Sequence, residues 1–274
     1  MIIKTLVENT SVSEDYGSQH GLSLYIETND KKFLFDVGAS ELFFENAKKM
    51  DVNISDIDFL IISHGHYDHG GGLKDFLEEN KAADIYLHGK AFEKHFDLRD
   101  NGELHYIGLE KSLVQNRRFI LTSDRFFINK GIWVFSNIVQ IEPLPASNKG
   151  LLAEQNGQII DDTFAHEQNL VIEEDGRTFL LTGCAHNGIV NILKYFYTLT
   201  GRMPDYVIGG FHLYNHSKKQ DESPDVVDKI GLFLLETNAQ YYTCHCTGIE
   251  SYERLKTVMG DRINYLSTGS NIEI

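Results

Sequence analysis

The chain has 274 residues, 42% of them hydrophobic, enough for one large domain or two small ones with a substantial core. Its 25 Lys and Arg stand against 40 Asp and Glu, a formal charge of −15, which argues against general nucleic-acid binding through a basic stripe. No run of about 18 apolar residues exists, so no membrane span is expected.

Short apolar runs predict strands at 2–7, 22–27, 32–36, 59–62 and 84–87, with amphipathic helices at 41–50 and 72–80 between them. A second series follows, with strands at 131–135, 169–172, 178–181, 206–208 and 241–243 and helices at 189–199, 225–236 and 248–259. Pro224 suits the first turn of the middle one of these helices. Residues 91–129 mix charge and aromatics without a clean period and are read as an insertion or lid within a single domain spanning 1–274. The order alone gives an α/β or α+β fold built on mixed sheets covered by helices. The N-terminal MIIKTLVENTSVSED carries no signal-peptide pattern. The three cysteines, Cys184, Cys244 and Cys246, are sparse and odd in number, so a cytoplasmic location is expected.

The stretch FLIISHGHYDHGGGL concentrates His64, His66, Asp68 and His69 just after an apolar strand, where ligands gather in open sheets. His64 and His66, two apart on an extended segment, can reach one point. Asp68 and His69 lie where the chain turns through Gly70, Gly71 and Gly72 and can face a second. Neutral imidazole suits zinc and a carboxylate adds charge compensation.

This His-x-His-x-Asp-His pattern resembles the signature of the metallo-β-lactamase superfamily. With HGLSLYIETNDKKFLFDVGAS, LTGCAHNGIVNIL, GGFHL and TCHCTG in the same order, the chain looks like its 7,8-dihydropterin-6-methyl-4-(β-D-ribofuranosyl)aminobenzene-5′-phosphate synthase subfamily. The resemblance implies a four-layer αββα sandwich and two divalent ions, zinc by expectation, at one edge of the sheets. One ion is assigned to His64, His66 and His186, the other to Asp68, His69 and His245, and Asp36 is read as an acceptor orienting a ligand histidine. Where most hydrolases of the superfamily carry Thr-Gly-Asp, this chain reads Thr182, Gly183, Cys184. Cys184 is either a thiolate ligand or, the favoured reading, a small buried residue. His245 is read on an alternating strand end, opposite Cys244 and Cys246, which would pack in the core. His212, His20 and Asn9 are candidates to line the pocket, whereas His88, His95, His105, His166 and His216 read as surface or polar-loop residues, with His166 near the position of a ligand in some relatives.

Two divalent ions less one carboxylate leave about +3 at the site, which attracts an anionic oxygen and acidifies a bound water. The resemblance implies a transferase in which an aminobenzene amine displaces pyrophosphate from a pyrophosphorylated dihydropterin, a small anionic substrate. The alternative is a hydrolase of a phosphodiester, lactone or thioester with metal-bound water or hydroxide as nucleophile; a sensor that only binds its ligand is the reading outside enzymology. Phe211, Tyr214, Tyr106 and Phe92 are available to stack on a pterin.

Overall fold

A computed structural model describes residues 1–274. One seven-stranded sheet runs, in spatial order, Asn271–Glu273, Ile2–Val7, Ser23–Glu27, Lys32–Phe35, Phe59–Ile61, Asp84–His88 and Phe119–Thr122. The second, also seven-stranded, runs Ile263–Tyr265, Gln240–Thr243, Tyr206–Gly209, Arg177–Thr182, Asn169–Glu174, Ile132–Phe135 and Arg125–Phe127. Their period-two patterns divide each strand between two cores. Phe33 and Phe35 pack with Phe179 and Leu181 between the sheets, while Leu34 turns to the outer core of the first sheet and Leu180 to that of the second. The outer core of the first sheet is closed by Phe43 and Ala47 of helix Leu42–Lys49 and by Leu73 and Phe76 of helix Leu73–Glu79. That of the second sheet is closed by Ile192 and Phe196 of Ile189–Thr200, Leu234 of Pro224–Glu236 and Leu255 of Ile249–Met259. The fold is an αββα sandwich, and no helix is long and apolar enough to cross a membrane.

Both sheets carry parallel strands at their centres. Lys32–Phe35, Phe59–Ile61 and Asp84–His88 are mutually parallel, as are Arg177–Thr182, Tyr206–Gly209 and Gln240–Thr243. The segments after their C-terminal ends converge on one edge of the sandwich: 63–69 from the first sheet, and 183–186, 210–212 and 244–247 from the second. Close approach here demands glycine at 183, because a Cβ on it would collide with Ser63 Oγ and stand 3.2 Å from His64 Nδ1.

The stretch 91–129 divides in two. Its first part forms strands His95–Leu98 and Leu104–Tyr106, which join Leu151–Gln155 and Gln158–Asp161 in a separate four-stranded sheet over the site edge. Its last part supplies Phe119–Thr122 and Arg125–Phe127, the edge strands of the two main sheets. The irregular pattern arises because these short strands are half-exposed and belong to three different sheets.

Candidate metal centre

Strand Phe59–Ile61 delivers Ser63 and His64 in extended chain, and the short helix Tyr67–Gly70 turns Asp68 and His69 inward. His64, His66, Asp68, His69, His186 and His245 are all buried. His64 Nε2 stands 3.1 Å from His66 Nδ1 and 3.3 Å from His186 Nε2, and His69 Nε2 stands 3.2 Å from His245 Nε2. Asp68 Oδ2 lies 3.3 Å from His245 Nε2 and 3.6 Å from His69 Nε2.

The outer partners of these rings fix which nitrogens carry protons. His69 Nδ1 donates to Asp36 Oδ2 at 2.6 Å, His186 Nδ1 to Asn148 Oδ1 at 3.0 Å, and His245 Nδ1 to Asn9 Oδ1 at 2.9 Å. Ser63 Oγ donates to Asp36 Oδ2 at 2.7 Å and accepts from His64 Nδ1 at 2.9 Å. The inner Nε2 of His64, His186 and His245 is therefore a lone pair, and lone pairs held this close repel unless a proton or a cation lies among them. Burial pushes the pKa of His69 down, but Asp36 and Asp68 outweigh it and raise it, so a metal ion at His69 Nε2 displaces a proton. Two Zn–N bonds of about 2.0–2.1 Å in a tetrahedral site hold their nitrogens about 3.3 Å apart. The donor set and its spacing fit a metal centre. Burial, first of all, lowers the pKa values of His64 and His186 well below the usual imidazole value and that of His245 to about 3. They are thus held in the neutral form a metal needs. Burial pushes the Asp68 carboxyl up, but His69, His20 and His245 outweigh it and hold it well below the usual carboxylate range.

Of the remaining sequence candidates, Asp36 is fully buried and accepts from His69, the Ser63 amide and the Ser63 hydroxyl. Asn9 holds His245 from both sides, accepting from the ring and donating to its carbonyl at 3.3 Å. His20 Nε2 reaches Asp68 Oδ2 at 3.2 Å, and its ring stacks on His216 with centroids 4.0 Å apart. His212 lines the same cavity, its ring 4.1 Å from that of His186, with neither nitrogen partnered within the protein. Cys184 Sγ lies 3.1 Å from His69 Nε2 and within reach of both histidine groups.

Several expectations are corrected. His95 and His166 are not surface residues but are 1% exposed, gathered with His66 and Asp162; His88 is buried as well. His105 and His216 do stand exposed, as expected, although His216 also lines the rim of the cavity. His245 is not on a strand. Strand Gln240–Thr243 ends before it, and His245 opens a 3-10 turn with φ 53°. Strand alternation therefore does not govern its neighbours. Cys244 packs between the sheets, but Cys246 lines the cavity beside Cys184. Among the aromatics, Tyr214 lines the cavity, whereas Phe211 and Phe92 pack against the cores and the Tyr106 hydroxyl donates to the Leu109 carbonyl.

Sequence reasoning missed Asn148, which holds His186 by ring and carbonyl. It also missed Glu8 and Glu167, fully buried carboxylates that accept the amides of His245 and His186 at 2.6 Å each. None of the three lies in a histidine-rich block, and no local pattern marks them.

The cavity above these groups encloses about 90 Å³. Its mouth is bridged by Asp97, Arg99 and Ser217: Arg99 donates to Ser217 Oγ at 2.9 Å and pairs with Asp97 at 3.2 Å, and Ser217 donates to Asp97. Asn215 adds a bond to the Ser147 carbonyl at 2.8 Å.

The family model for the metallo-β-lactamase superfamily matches residues 17–232. The chain is 31% identical over 267 residues to the 7,8-dihydropterin-6-methyl-4-(β-D-ribofuranosyl)-aminobenzene-5′-phosphate synthase of Methanocaldococcus jannaschii, covering 91% of this chain and 88% of that one. An uncharacterised protein of the same organism is 27% identical over 261 residues, with 93% of each chain covered. Among solved structures, that of Tm1679, a metal-dependent hydrolase of the β-lactamase superfamily, superposes with a TM-score of 0.84 at 27% identity, covering 100% of this chain and 99% of the other. YhfI of Bacillus subtilis shares the fold, with a TM-score of 0.60 at 12% identity over 99% of this chain and 98% of that one.

Proposed function

Because this chain belongs to the metallo-β-lactamase superfamily, we propose that it is a two-metal enzyme resembling the dihydropterin synthase, transferring a pterin-methyl group with departure of pyrophosphate. The observation that carries the metal reading is the set of inner imidazole nitrogens at 3.1 to 3.3 Å from one another, with their outer nitrogens engaged by Asp36, Ser63, Asn9 and Asn148. His64, His66 and His186 would hold one ion and Asp68, His69 and His245 the other. A pair of divalent ions, zinc by donor type, supplies positive charge to an anionic leaving group and lowers the pKa of a bound water.

Cys184 moves, in this reading, from packing residue to donor, since its sulfur faces His69 Nε2 at 3.1 Å. Burial pushes its thiol well above the usual range, which a coordinating cation reverses. The cobalt-substituted protein is then expected to show sulfur-to-metal charge transfer that disappears in Cys184→Ser. A spectrum without that band returns Cys184 to packing.

The protein's own contribution beyond holding metal is positioning and exclusion of water. A cavity of about 90 Å³ is well below the roughly 300–1,000 Å³ of ordinary ligand pockets, and in this reading the four-stranded sheet or the hairpin Tyr214–Asn215 to Gln220–Asp221 moves as a lid to admit the substrate. With the lid closed, Arg99 and His216 at the rim offer positive or hydrogen-bonding groups to an anionic substrate, and Tyr214 offers a ring face. The exclusion of bulk water favours transfer to an amine over transfer to water. The unpaired cysteines fit a reducing cytoplasm.

The test is acceptor dependence. Pyrophosphate release from the dihydropterin pyrophosphate is expected only when the aminobenzene ribofuranosyl phosphate is present, with the condensation product visible by mass spectrometry. The second reading, a hydrolase, is favoured by the full-length similarity to Tm1679. Turnover of bis-p-nitrophenyl phosphate or a lactone with no second substrate and no condensation product would decide for it.

A further inference from the structure

Beside the metal-facing nitrogens, His66, His95, Asp162 and His166 each bring one donor atom within 4.8 Å of the others. All four are at least nine-tenths buried. His95 comes from the first strand of the four-stranded sheet and Asp162 follows that sheet's strand Gln158–Asp161. The metal assignment above uses only His66 among them.

Hydrogen bonds fix the protons of this group as they do at the centre. The Gly65 amide donates to His166 Nδ1 at 2.9 Å, so that nitrogen holds a lone pair and Nε2 holds the proton, which goes to Asp162 Oδ2 at 3.2 Å. The same oxygen accepts from His95 Nδ1 at 2.8 Å. His95 Nε2 is therefore a lone pair, and it is buried with no partner within the protein. His66 presents the complement. Its Nδ1 faces His64 Nε2, and with the proposed ion held between those two nitrogens the proton lies on Nε2, an atom that is also buried without a partner. The two rings meet edge to face with centroids 5.5 Å apart.

We propose that His95, held by Asp162, is the positioning residue for His66, accepting its outer N–H directly or through one water. Metal-ligating histidines almost always give that N–H to an acceptor, which fixes the ring and raises its basicity. His64, His69, His186 and His245 have Ser63, Asp36, Asn148 and Asn9; His66 is the remaining one, and His95 is the acceptor that remains. A third cation in the same cluster is the rival arrangement. It would need the Nε2 lone pair of His166, which the Gly65 amide denies by occupying Nδ1.

This inference rests on the proposed metal centre, and its test separates the two. Chelator competition on zinc-loaded protein should resolve two affinities. In His95→Ala one of them is expected to weaken by about 10- to 100-fold while the other is unchanged, and the cobalt ligand-field bands should shift. His95→Gln, whose amide oxygen can accept the same N–H, should recover most of the loss. In the zinc-loaded wild type, nitrogen-15 histidine spectra should give an exchange-protected His66 Nε2–H, a measurement that stands even if the variants fail to fold. A freely exchanging proton there, unaltered affinities in folded His95→Ala, or a third zinc equivalent lost in that variant each overturns the proposal. A wild-type chain that takes up no metal overturns the metal centre itself, and this inference with it.

Discussion

Asp68→Asn is expected to bind about one metal ion in place of two and to lose roughly 10³-fold in turnover. Asp68 Oδ2 lies 3.2 Å from His20 Nε2, 3.3 Å from His245 Nε2 and 3.6 Å from His69 Nε2, so it is the carboxylate charge among the histidine donors. The amide keeps the volume and can satisfy His20, which spares the fold. It cannot offset the charge of a second ion. A metal ion contributes several kcal/mol to stabilising developing negative charge. Taking about 4 kcal/mol of that away, at roughly 1.4 kcal/mol per tenfold in rate, gives the stated loss. Elemental analysis with steady-state kinetics checks both halves, and an asparagine variant that keeps two ions and turns over within tenfold of the parent would remove Asp68 from the centre.

How the sequence foretells this site differs from residue to residue for physical reasons. His64, His66, Asp68 and His69 are legible because one strand end and one short helix deliver all four, and local spacing then determines shared facing. The strands are legible where a short apolar run is buried on both faces, as in Lys32–Phe35 and Arg177–Thr182. His245 lies beside Asp68 and His69, but not by strand alternation: it sits on a turn in the left-handed region, where that alternation does not apply. His95 and Asp162 were not legible because they belong to the small four-stranded sheet or its end, and their meeting with His66 depends on how that sheet docks. Asn148 and Glu167 are hidden in the same way. An asparagine that holds a histidine from 38 positions away leaves no periodic trace, since tertiary packing alone creates the pair. Asp36 was found through the resemblance, while its local signal was that of an ordinary turn former.

The contact that makes Asp36 more than a turn former also makes it the residue whose loss should cost the most stability. Its side chain is fully buried and takes the Ser63 amide at 2.7 Å, the Ser63 hydroxyl at 2.7 Å and His69 Nδ1 at 2.6 Å. Its backbone has φ 63°, a left-handed conformation that aspartate adopts more readily than alanine. Asp36→Ala leaves three buried donors without an acceptor, and removing one partner from such a buried charged network costs about 3–5 kcal/mol. For a domain of this size, at roughly 2–4 °C per kcal/mol, the melting temperature of the metal-free protein should fall by about 10 °C. Asp36→Asn separates the fold from the metal centre. Its amide oxygen still accepts the Ser63 N–H, so much of the stability should return. Its NH₂ group, turned toward Ser63 and His69, offers His69 Nδ1 no acceptor, so the ring is free to present the wrong nitrogen and metal affinity should remain low. Melting curves of the two variants, read beside chelator competition, give the comparison. Equal recovery of stability and metal affinity in Asp36→Asn would mean that the carboxylate supports the turn alone and that His69 is oriented by something else.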